Sequence, residues 1–396
     1  MQKDLSANIW KYYAAGMLQN LWFLLAVNIL YLQSFGISYG QIGTLELLGA
    51  LTIMLFEIPT GAVADLVSRR MSVIIGIILV AIGGFTLALG STVTVFAIAF
   101  VVWAMGDTFV SGAQSALVYD TLKDLKREKE YLKIQGRYRL ITTFSLLFAT
   151  AVSPFLFQIN IRIPEFLVGV AWLLSAAFVF MMKEPSRRSV KYSIAKHVIQ
   201  MKDGFKYSFN HKMIRWYFMF SILVGLPMLL YNNLVSQSYY LGVGYTVANL
   251  AIIIPVIYGS ASLVSSQAHR IEGWLGERSS LIIIAVLHAL GFLAMGLLRV
   301  PAVLAFVIIL YLSRDFSWMV MDAYVNKHVV SKMRATVISV GSMLTYAVML
   351  VMYPLAGRLL DVFGLFDVLL GFGIFVVIIS MGLFAIKPRL VTVKRH

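Results

Sequence analysis

The sequence predicts an all-α polytopic membrane protein: twelve transmembrane helices in two pseudo-symmetric six-helix bundles, with both termini cytoplasmic. Three observations predict it. The 396 residues are 60% apolar and 13% charged, about half the charge of an ordinary soluble domain. Apolar runs close to the roughly 20 residues that cross a bilayer recur twelve times with short connections. Of the 33 lysines and arginines, all but four lie at the termini or in alternate connections.

The first apolar run, 9–33, is longer than a signal-peptide core and reads as a retained span. Five more follow at 41–64, 72–90, 94–121, 137–158 and 165–183. A second set of six occupies 213–241, 246–269, 280–298, 301–326, 335–357 and 366–386. Cytoplasmic loops retain the positive charge, so the basic connections face the cytoplasm. The opposite connections hold only Arg162, Arg299 and Arg358, and Arg314 lies inside a span. The net charge of +15 therefore reports membrane orientation. Its residues gather on no single arm or face, so the expected neighbour is a lipid bilayer and not a nucleic acid. Cysteine is absent, which removes disulfides and thiolate metal sites; no metal and no cofactor is expected.

The longest hydrophilic segment, "KEPSRRSVKYSIAKHVIQMKDGFKYSFNHK", divides the spans six and six. It sets the expected organisation: an N-terminal bundle over 1–183, a central loop over 184–212 and a C-terminal bundle over 213–396. The loop suits either a basic amphipathic helix on the anionic inner leaflet or a solvated linker. Six plus six spans invite a search for duplication. Asp107 in span 4 and the Arg314–Asp315 pair in span 10 fall at similar depths. "ALVYD" closes span 4 and "DAYVN" closes span 10. The connection "QAHRIEGWLGERSS" stands in the second half where "GAVADLVSRR" stands in the first.

"GAVADLVSRR", residues 61–70, sets a glycine, an aspartate four residues on and a basic pair beyond it. This pattern resembles the signature loop of the major facilitator superfamily, and "FEIPT" before it and "RATVIS" at 334–339 are similar to members too. The span count, central loop and cytoplasmic termini extend the resemblance over the whole chain. Gly61 would let neighbouring helices approach closely, and Asp65 suits a helix N-terminus. The resemblance implies that this terminus is the start of span 11, near Arg334. Arg69 or Arg70 would then pair with Asp120 at the inner end of span 4, forming a cytoplasmic clasp that opens and closes. The alternative is that Arg69 and Arg70 only set topology.

The resemblance also implies that spans 1, 4, 7 and 10 line a central cavity. Those spans carry the polar side chains. Span 1 offers Asn20 and Asn28, eight residues apart and nearly on one helical face. Span 4 offers Asp107, Ser111 and Gln114 at helical spacing. Span 7 offers Asn232, Asn233 and Gln237, and span 10 offers Arg314, Asp315, Trp318 and Asp322. Ionisable groups at mid-membrane depth face a cavity or a partner. Asp107 and Arg314 suggest an ion pair bridging the halves, either structural or part of transport, which leaves Asp315 without a basic partner. Asp107 and Asp315 are the candidate proton-coupling groups, with Asp322 third and Glu57, beside Pro59, a further candidate. His288 reads as a satisfied histidine.

No G-x-x-x-x-G-K-[ST] stretch exists, so no nucleotide-binding loop marks a primary pump. The expected activity is secondary transport of a small molecule by alternating access, by a monomer in the cell membrane. Carboxylates outnumber bases among the lining residues, and with Tyr31, Tyr231 and Trp318 they fit an amphipathic or cationic substrate, pointing to proton-coupled efflux. Antiporters of the family often carry a glycine-rich pattern ending in Gly-Pro in span 5. Here "ATAVSPF" at 149–155 keeps only Pro154. A proton-coupled symporter or facilitator for a sugar or other metabolite, or a lipid flippase, is the alternative. An enzyme is not expected. "DTLKD" at 120–124 resembles half of a membrane prenyltransferase site, but the matching region "DAYVNKHVVSK" has one carboxylate followed by bases.

Overall fold

The computed structural model describes residues 2–186, 194–330 and 333–388; positions 187–193 of the central segment lie outside them. The described residues contain helices and no strand. In order these are α1 (Gln2–Gln19), a 3-10 turn (Phe23–Ala26), α2 (Asn28–Gln33), α3 (Tyr39–Leu66), α4 (Arg69–Leu89), α5 (Val93–Asp124), α6 (Tyr131–Ile159) and α7 (Ile163–Phe180). Then follow α8 (Ile194–Asn210), α9 (Lys212–Leu234), α10 (Ser236–Gly242), α11 (Leu250–Leu297), α12 (Leu304–His328), α13 (Arg334–Phe363) and α14 (Leu365–Ala385). Among the described residues ten helices are long and apolar enough to cross a membrane. Helix starts are set by local chemistry. Ser38 and Gln41 form a capping box at α3, and Ser68 accepts the Met71 N–H at α4, each satisfying donors that the first turn leaves orphaned.

Four expected spans differ from simple rods. Spans 8 and 9 are merged in α11, whose 48 residues would reach about 70 Å at 1.5 Å per residue, length for two crossings of a roughly 30 Å core. Its axis breaks at Gly276, φ 72° and ψ 165°, a conformation that glycine adopts without penalty. Span 1 is interrupted between α1 and α2, and span 7 between α9 and α10. The two interruptions share one backbone geometry: Val27 has φ −141° and ψ 6°, Val235 φ −139° and ψ −9°. One sequence offset relates Val27 to Val235, Tyr31 to Tyr239 and Leu87 to Met295. The Tyr31 hydroxyl donates to the Leu87 carbonyl, and the Tyr239 hydroxyl to that of Met295. The duplication weakly visible in sequence is thus carried by backbone and hydrogen bonds.

The chain gathers into two compact units. The first comprises Met1–Ile194 with Tyr245–Pro255 and Met349–Gly357; the second comprises Ala195–Gly244, Val256–Val348 and Arg358–His396. In the first unit α4 is the hub. It meets α5 through facing glycines, where a Cβ on Gly76 would lie 2.6 Å from the Gly106 carbonyl oxygen and one on Gly106 2.7 Å from that of Gly76. The Met349–Gly357 stretch of α13 is held on α3 the same way: a Cβ on Gly43 would meet the Tyr353 oxygen at 2.3 Å, and one on Gly357 the Tyr39 oxygen at 2.3 Å. Small residues let backbones pack where lipid supplies no hydrophobic drive. The second unit has a more aromatic core, with Trp216, Tyr217, Phe220 and Phe316 buried together and the Trp216 indole donating to the Leu383 carbonyl at 2.8 Å. Helix α8 packs on this unit, Gln200 bonding Thr336 at 3.0 Å.

Gly61 does not provide the expected close approach. It is exposed, and a Cβ there would meet nothing within 4 Å; the tight contact of α3 is at Gly43, near the opposite end of the helix.

Candidate substrate cavity

A cavity of about 490 Å³ opens in the first unit. Helix α1 brings Tyr12 and Gln19, and the break after it brings Asn20 and Trp22. One face of α5 supplies Trp103, Asp107, Val110, Ser111, Gln114 and Ser115, the i, i+4, i+7 spacing of a helical stripe. Gln135 and Tyr138 come from α6 and Trp172 from α7. The volume is that of a small-molecule site.

Aromatic packing builds the walls. Tyr138 stacks on Tyr12, centroids 4.1 Å apart, in space that exists because residue 16 is glycine: a Cβ there would fall 2.1 Å from the Tyr138 ring. The Tyr12 hydroxyl donates to Gln135 Oε1 at 3.1 Å, and Gln114 Nε2 donates to the Tyr138 hydroxyl at 3.3 Å. Trp22 and Trp103 lie nearly parallel at 6.4 Å, and Trp172 meets Trp103 edge-on at 6.2 Å. Asp107 is open to this space. Among the described residues it has neither an ion-pair nor a hydrogen-bond partner. The side-chain nitrogens of Gln19 and Gln135 are likewise buried donors with no partner.

The second unit treats its polar residues differently. Arg314 donates from Nε to Asp315 Oδ1 at 2.7 Å, and its Nη2 stands 2.6 Å from the same oxygen. Its guanidinium lies 4.6 Å from the Tyr311 ring centroid and 5.7 Å from that of Tyr258. Both tyrosine hydroxyls donate to Asn232 Oδ1, at 2.8 and 3.2 Å, and Asn232 donates to Asn233 at 3.2 Å. The expectation that Asp315 lacks a basic partner is corrected: its partner is the adjacent Arg314, which the sequence reading had assigned to Asp107. Adjacent residues on a helix ordinarily diverge, but the long Arg314 side chain folds back beneath the two tyrosine rings. Gln237 is buried at the α10 start, whereas Trp318, 76% exposed, and Asp322 are open on α12.

Other expectations also shift. Asn20 and Asn28 do not share a helical face, because α1 ends at Gln19 and the chain is irregular between them. Asn20 lines the cavity while Asn28, in α2, does not, and its Oδ1 is buried without a partner. Tyr31 and Tyr231 are fully buried core residues, not cavity walls. Glu57 is exposed on α3. His288 is buried and held by the Ile284 carbonyl at 2.9 Å and Ser313 at 3.2 Å. Sequence reasoning missed Tyr12 and Trp22 in span 1, Trp103 in span 4, and Tyr138 and Trp172 in spans 5 and 6; tryptophans at mid-span were the available signal.

At the end of the first unit that the charge pattern assigns to the cytoplasm, Arg69 pairs with Asp120. Its Nη1 also donates to the Ala116 carbonyl at 3.1 Å, and its Nη2 lies 3.7 Å from Asp65. Arg70 instead bonds the carbonyls of Val179 and Phe180. Glu184, unremarked in the sequence, caps α4: Oε1 accepts from the Arg69 N–H at 3.1 Å, and Oε2 from the Arg70 N–H at 3.0 Å and the Ser68 hydroxyl at 2.8 Å. Arg334 is the exposed first residue of α13. Of the "DTLKD" carboxylates, Asp120 is held by Arg69 and Asp124 by Ser186.

The fold is that of known transporters. Over 96% of this chain and 98% of the other it matches the crystal structure of the nucleoside transporter NupG, with TM-score 0.81 and 15% identity. A bacterial homologue of the human lysosomal transporter Spinster, inward-facing and unoccupied, matches over 97% and 96% with TM-score 0.76 and 15% identity. A D-xylose–proton symporter matches over 97% and 98% with TM-score 0.72 and 14% identity. At these identities the likeness is one of fold. In sequence, the uncharacterized MFS-type transporter YxaM of Bacillus subtilis strain 168 is 25% identical over 207 residues, 51% of this chain and 49% of the relative, so the match spans about half of each. The Major Facilitator Superfamily family model matches residues 13–345, and the chain belongs to the major facilitator superfamily of membrane transporters.

Proposed function

We propose that the protein is a secondary transporter carrying a small amphipathic or cationic molecule across the cell membrane, with proton-coupled efflux as its direction of work. One observation carries the substrate class. Asp107, without a countercharge, opens into a cavity walled by Trp22, Trp103, Trp172, Tyr12 and Tyr138. Aromatic faces attract cations and stack on planar rings, while the carboxylate supplies the charge. A carboxylate in such a place binds either the cationic substrate or a proton. Competition between the two couples their fluxes when access alternates. Asp107 is the principal coupling group in this reading. Asp315 is secondary because Arg314 neutralises it, and Asp322 and Glu57 lie outside the cavity.

The topology proposed with it has twelve crossings, with α1 and α2 as the first and α11 as two. The bundles span 1–183 and 213–396, the termini face the cytoplasm, and the monomer is the working unit. Within the first unit Arg69, Asp120 and Asp65 form a cytoplasmic clasp.

A second reading rests on different atoms. The unpartnered amide nitrogens of Gln19 and Gln135 favour an uncharged, hydrogen-bonding substrate, whose acceptors would recover the cost of burying them. Nucleoside and sugar transporters share this fold. Flux in proteoliposomes separates the readings. Ethidium, a planar organic cation, is expected to move against its gradient when a pH gradient is imposed, and Asp107→Asn to lower that flux about a hundredfold. If ethidium neither binds nor moves, while uridine or xylose does, the uncharged-substrate symporter replaces this proposal.

A further inference from the structure

Glu165 belongs to none of the machinery above. An acid just after Pro164 at a helix start reads as a routine dipole partner. The structure places it elsewhere. Glu165 is fully buried, 0% exposed, in the first turn of α7. Neither carboxylate oxygen has a hydrogen-bond partner among the described residues. The wall before it is the backbone of α4, where a Cβ on Gly84 would stand 3.6 Å from Oε1.

The titratable groups at this corner are Tyr31 from α2 and Arg162 at the start of α7, and both are committed elsewhere. The Tyr31 hydroxyl donates to the Leu87 carbonyl at 2.7 Å. Arg162 Nη1 donates to the carbonyls of Ala88 at 2.5 Å and Gly90 at 2.9 Å, with its guanidinium 5.0 Å from the Phe35 ring centroid. Helix α4 presents Gly84, Phe85, Leu87 and Ala88, none of which titrates. Helices α1 and α6 and the 3-10 turn, also packed on α7, add no charge here. An ionised carboxylate without a donor is strongly disfavoured in such surroundings.

The second half shows that packing does not demand an acid at this place. Gly169 of α7 packs on Phe85, and Gly373 of α14 packs on Leu293. Phe85 and Leu293 are separated by the same offset as Tyr31 and Tyr239. Four residues before these glycines stand Glu165 and Leu369, both 0% exposed. The corresponding place is filled by leucine in one half and by an unpartnered acid in the other, with Phe292 in the second half where Gly84 faces the acid in the first.

We propose that Glu165 is a second proton-binding site. It holds a proton in the arrangement described here and exchanges it with the outer medium when the Arg162 guanidinium leaves the Ala88 and Gly90 carbonyls for the carboxylate. Arg162 is half-exposed and three residues away on the same helical face, so the released proton passes to water beside it while arginine stays charged. The consequence for transport rests on the proton-coupled reading above; the proton site itself does not.

The test uses the full chain in lipid and the proton as probe. Infrared titration is expected to show a protonated-carboxyl band at neutral pH in the wild type that is missing from both Glu165→Gln and Glu165→Leu, the leucine variant copying the other half. An identical band in Glu165→Leu overturns the proposal, as does a wild type with no protonated carboxyl. In ethidium flux, Glu165→Gln is expected to lose at least tenfold of gradient-driven accumulation while keeping ethidium exchange without a gradient; unchanged accumulation overturns the coupling role. A wild type that moves no ethidium sinks the transport reading, and the infrared band then decides the proton site alone.

Discussion

Asp107 and Asp315 occupy one position of the repeat, separated by the same offset that relates Tyr31 to Tyr239 and Val27 to Val235. Each follows an aromatic residue by one helical turn, Trp103 in the first unit and Tyr311 in the second. What differs is the residue immediately before. In the second half it is Arg314, which binds Asp315 and tucks under Tyr258 and Tyr311. In the first it is Gly106, given over to the contact with Gly76. A duplicated scaffold thus keeps two acids and neutralises one. The duplication fixes depth and face, while single substitutions beside the acid decide whether it is structural or available to a ligand.

The comparison breaks most readily at Asp107. Asp107→Asn is expected to reduce pH-driven ethidium flux about a hundredfold, roughly 2.8 kcal/mol at 1.4 per decade, with expression and melting temperature unchanged. Asp315→Asn is expected to change flux less and melting temperature more. Equal flux losses with equal stability would erase the distinction. Next in size is Arg314→Gln, which leaves Asp315 half-buried and unpaired. Breaking a buried pair costs several kcal/mol, and partial exposure at 25% and 23% reduces this to about 2 kcal/mol, read as a lower melting temperature and restored in the Arg314→Gln, Asp315→Asn double variant.

The units also differ at their basic ends, and there the polarity is inverted. In the first unit arginine at the α4 start meets Asp120, with Glu184 beyond α7 capping the helix. In the second, Glu277 accepts from the Tyr217 hydroxyl at 2.8 Å and from Lys387, beyond α14, at 3.0 Å. Opposite signs at matching places hold the corresponding helix ends. Glu184→Ala removes three accepted hydrogen bonds at one N-terminus and is expected to cost about 1 kcal/mol, in line with other helix caps, while Glu184→Gln recovers part of it. No change in melting temperature for Glu184→Ala would show that Ser68 caps α4 unaided.

How much of this was legible follows from what kind of signal each feature leaves. Long apolar helices come from composition averaged over the width of a bilayer and were legible, ten of them among the described residues. So was the stripe from Asp107 to Gln114, because helical spacing survives without knowing any neighbour. The pairing of Arg69 with Asp120 came from a resemblance and is present in the geometry. The breaks at Val27 and Val235 were not legible: neither holds glycine or proline, so the irregular backbone is imposed by tertiary packing. For that reason the face shared by Asn20 and Asn28 failed. Arg314 was read toward the wrong acid because spacing rules place sequence neighbours on different faces and cannot see two tyrosine rings folding a long side chain back. Glu165 was invisible because burial without a partner is a property of the surroundings.

The smallest effect sharpens the contrast between the basic ends. The first unit's end is built from arginine and carboxylates, while the second adds histidine. The His211 ring is held by burial and by the nearby His328, its ring centroid 5.9 Å away, and both lower its pKa below the ordinary histidine value. A group whose folded pKa is depressed binds fewer protons folded than unfolded, so stability rises with pH through this range. It is fully present above about 6.5, the ordinary histidine value, and is lost as pH falls below it. Acidification from neutral toward pH 5 is therefore expected to lower the melting temperature of the wild type by a degree or two more than that of His211→Gln, whose cap to the Ile214 N–H persists without a titrating ring. Parallel melting profiles for the two would place the acid sensitivity elsewhere and remove this difference between the ends.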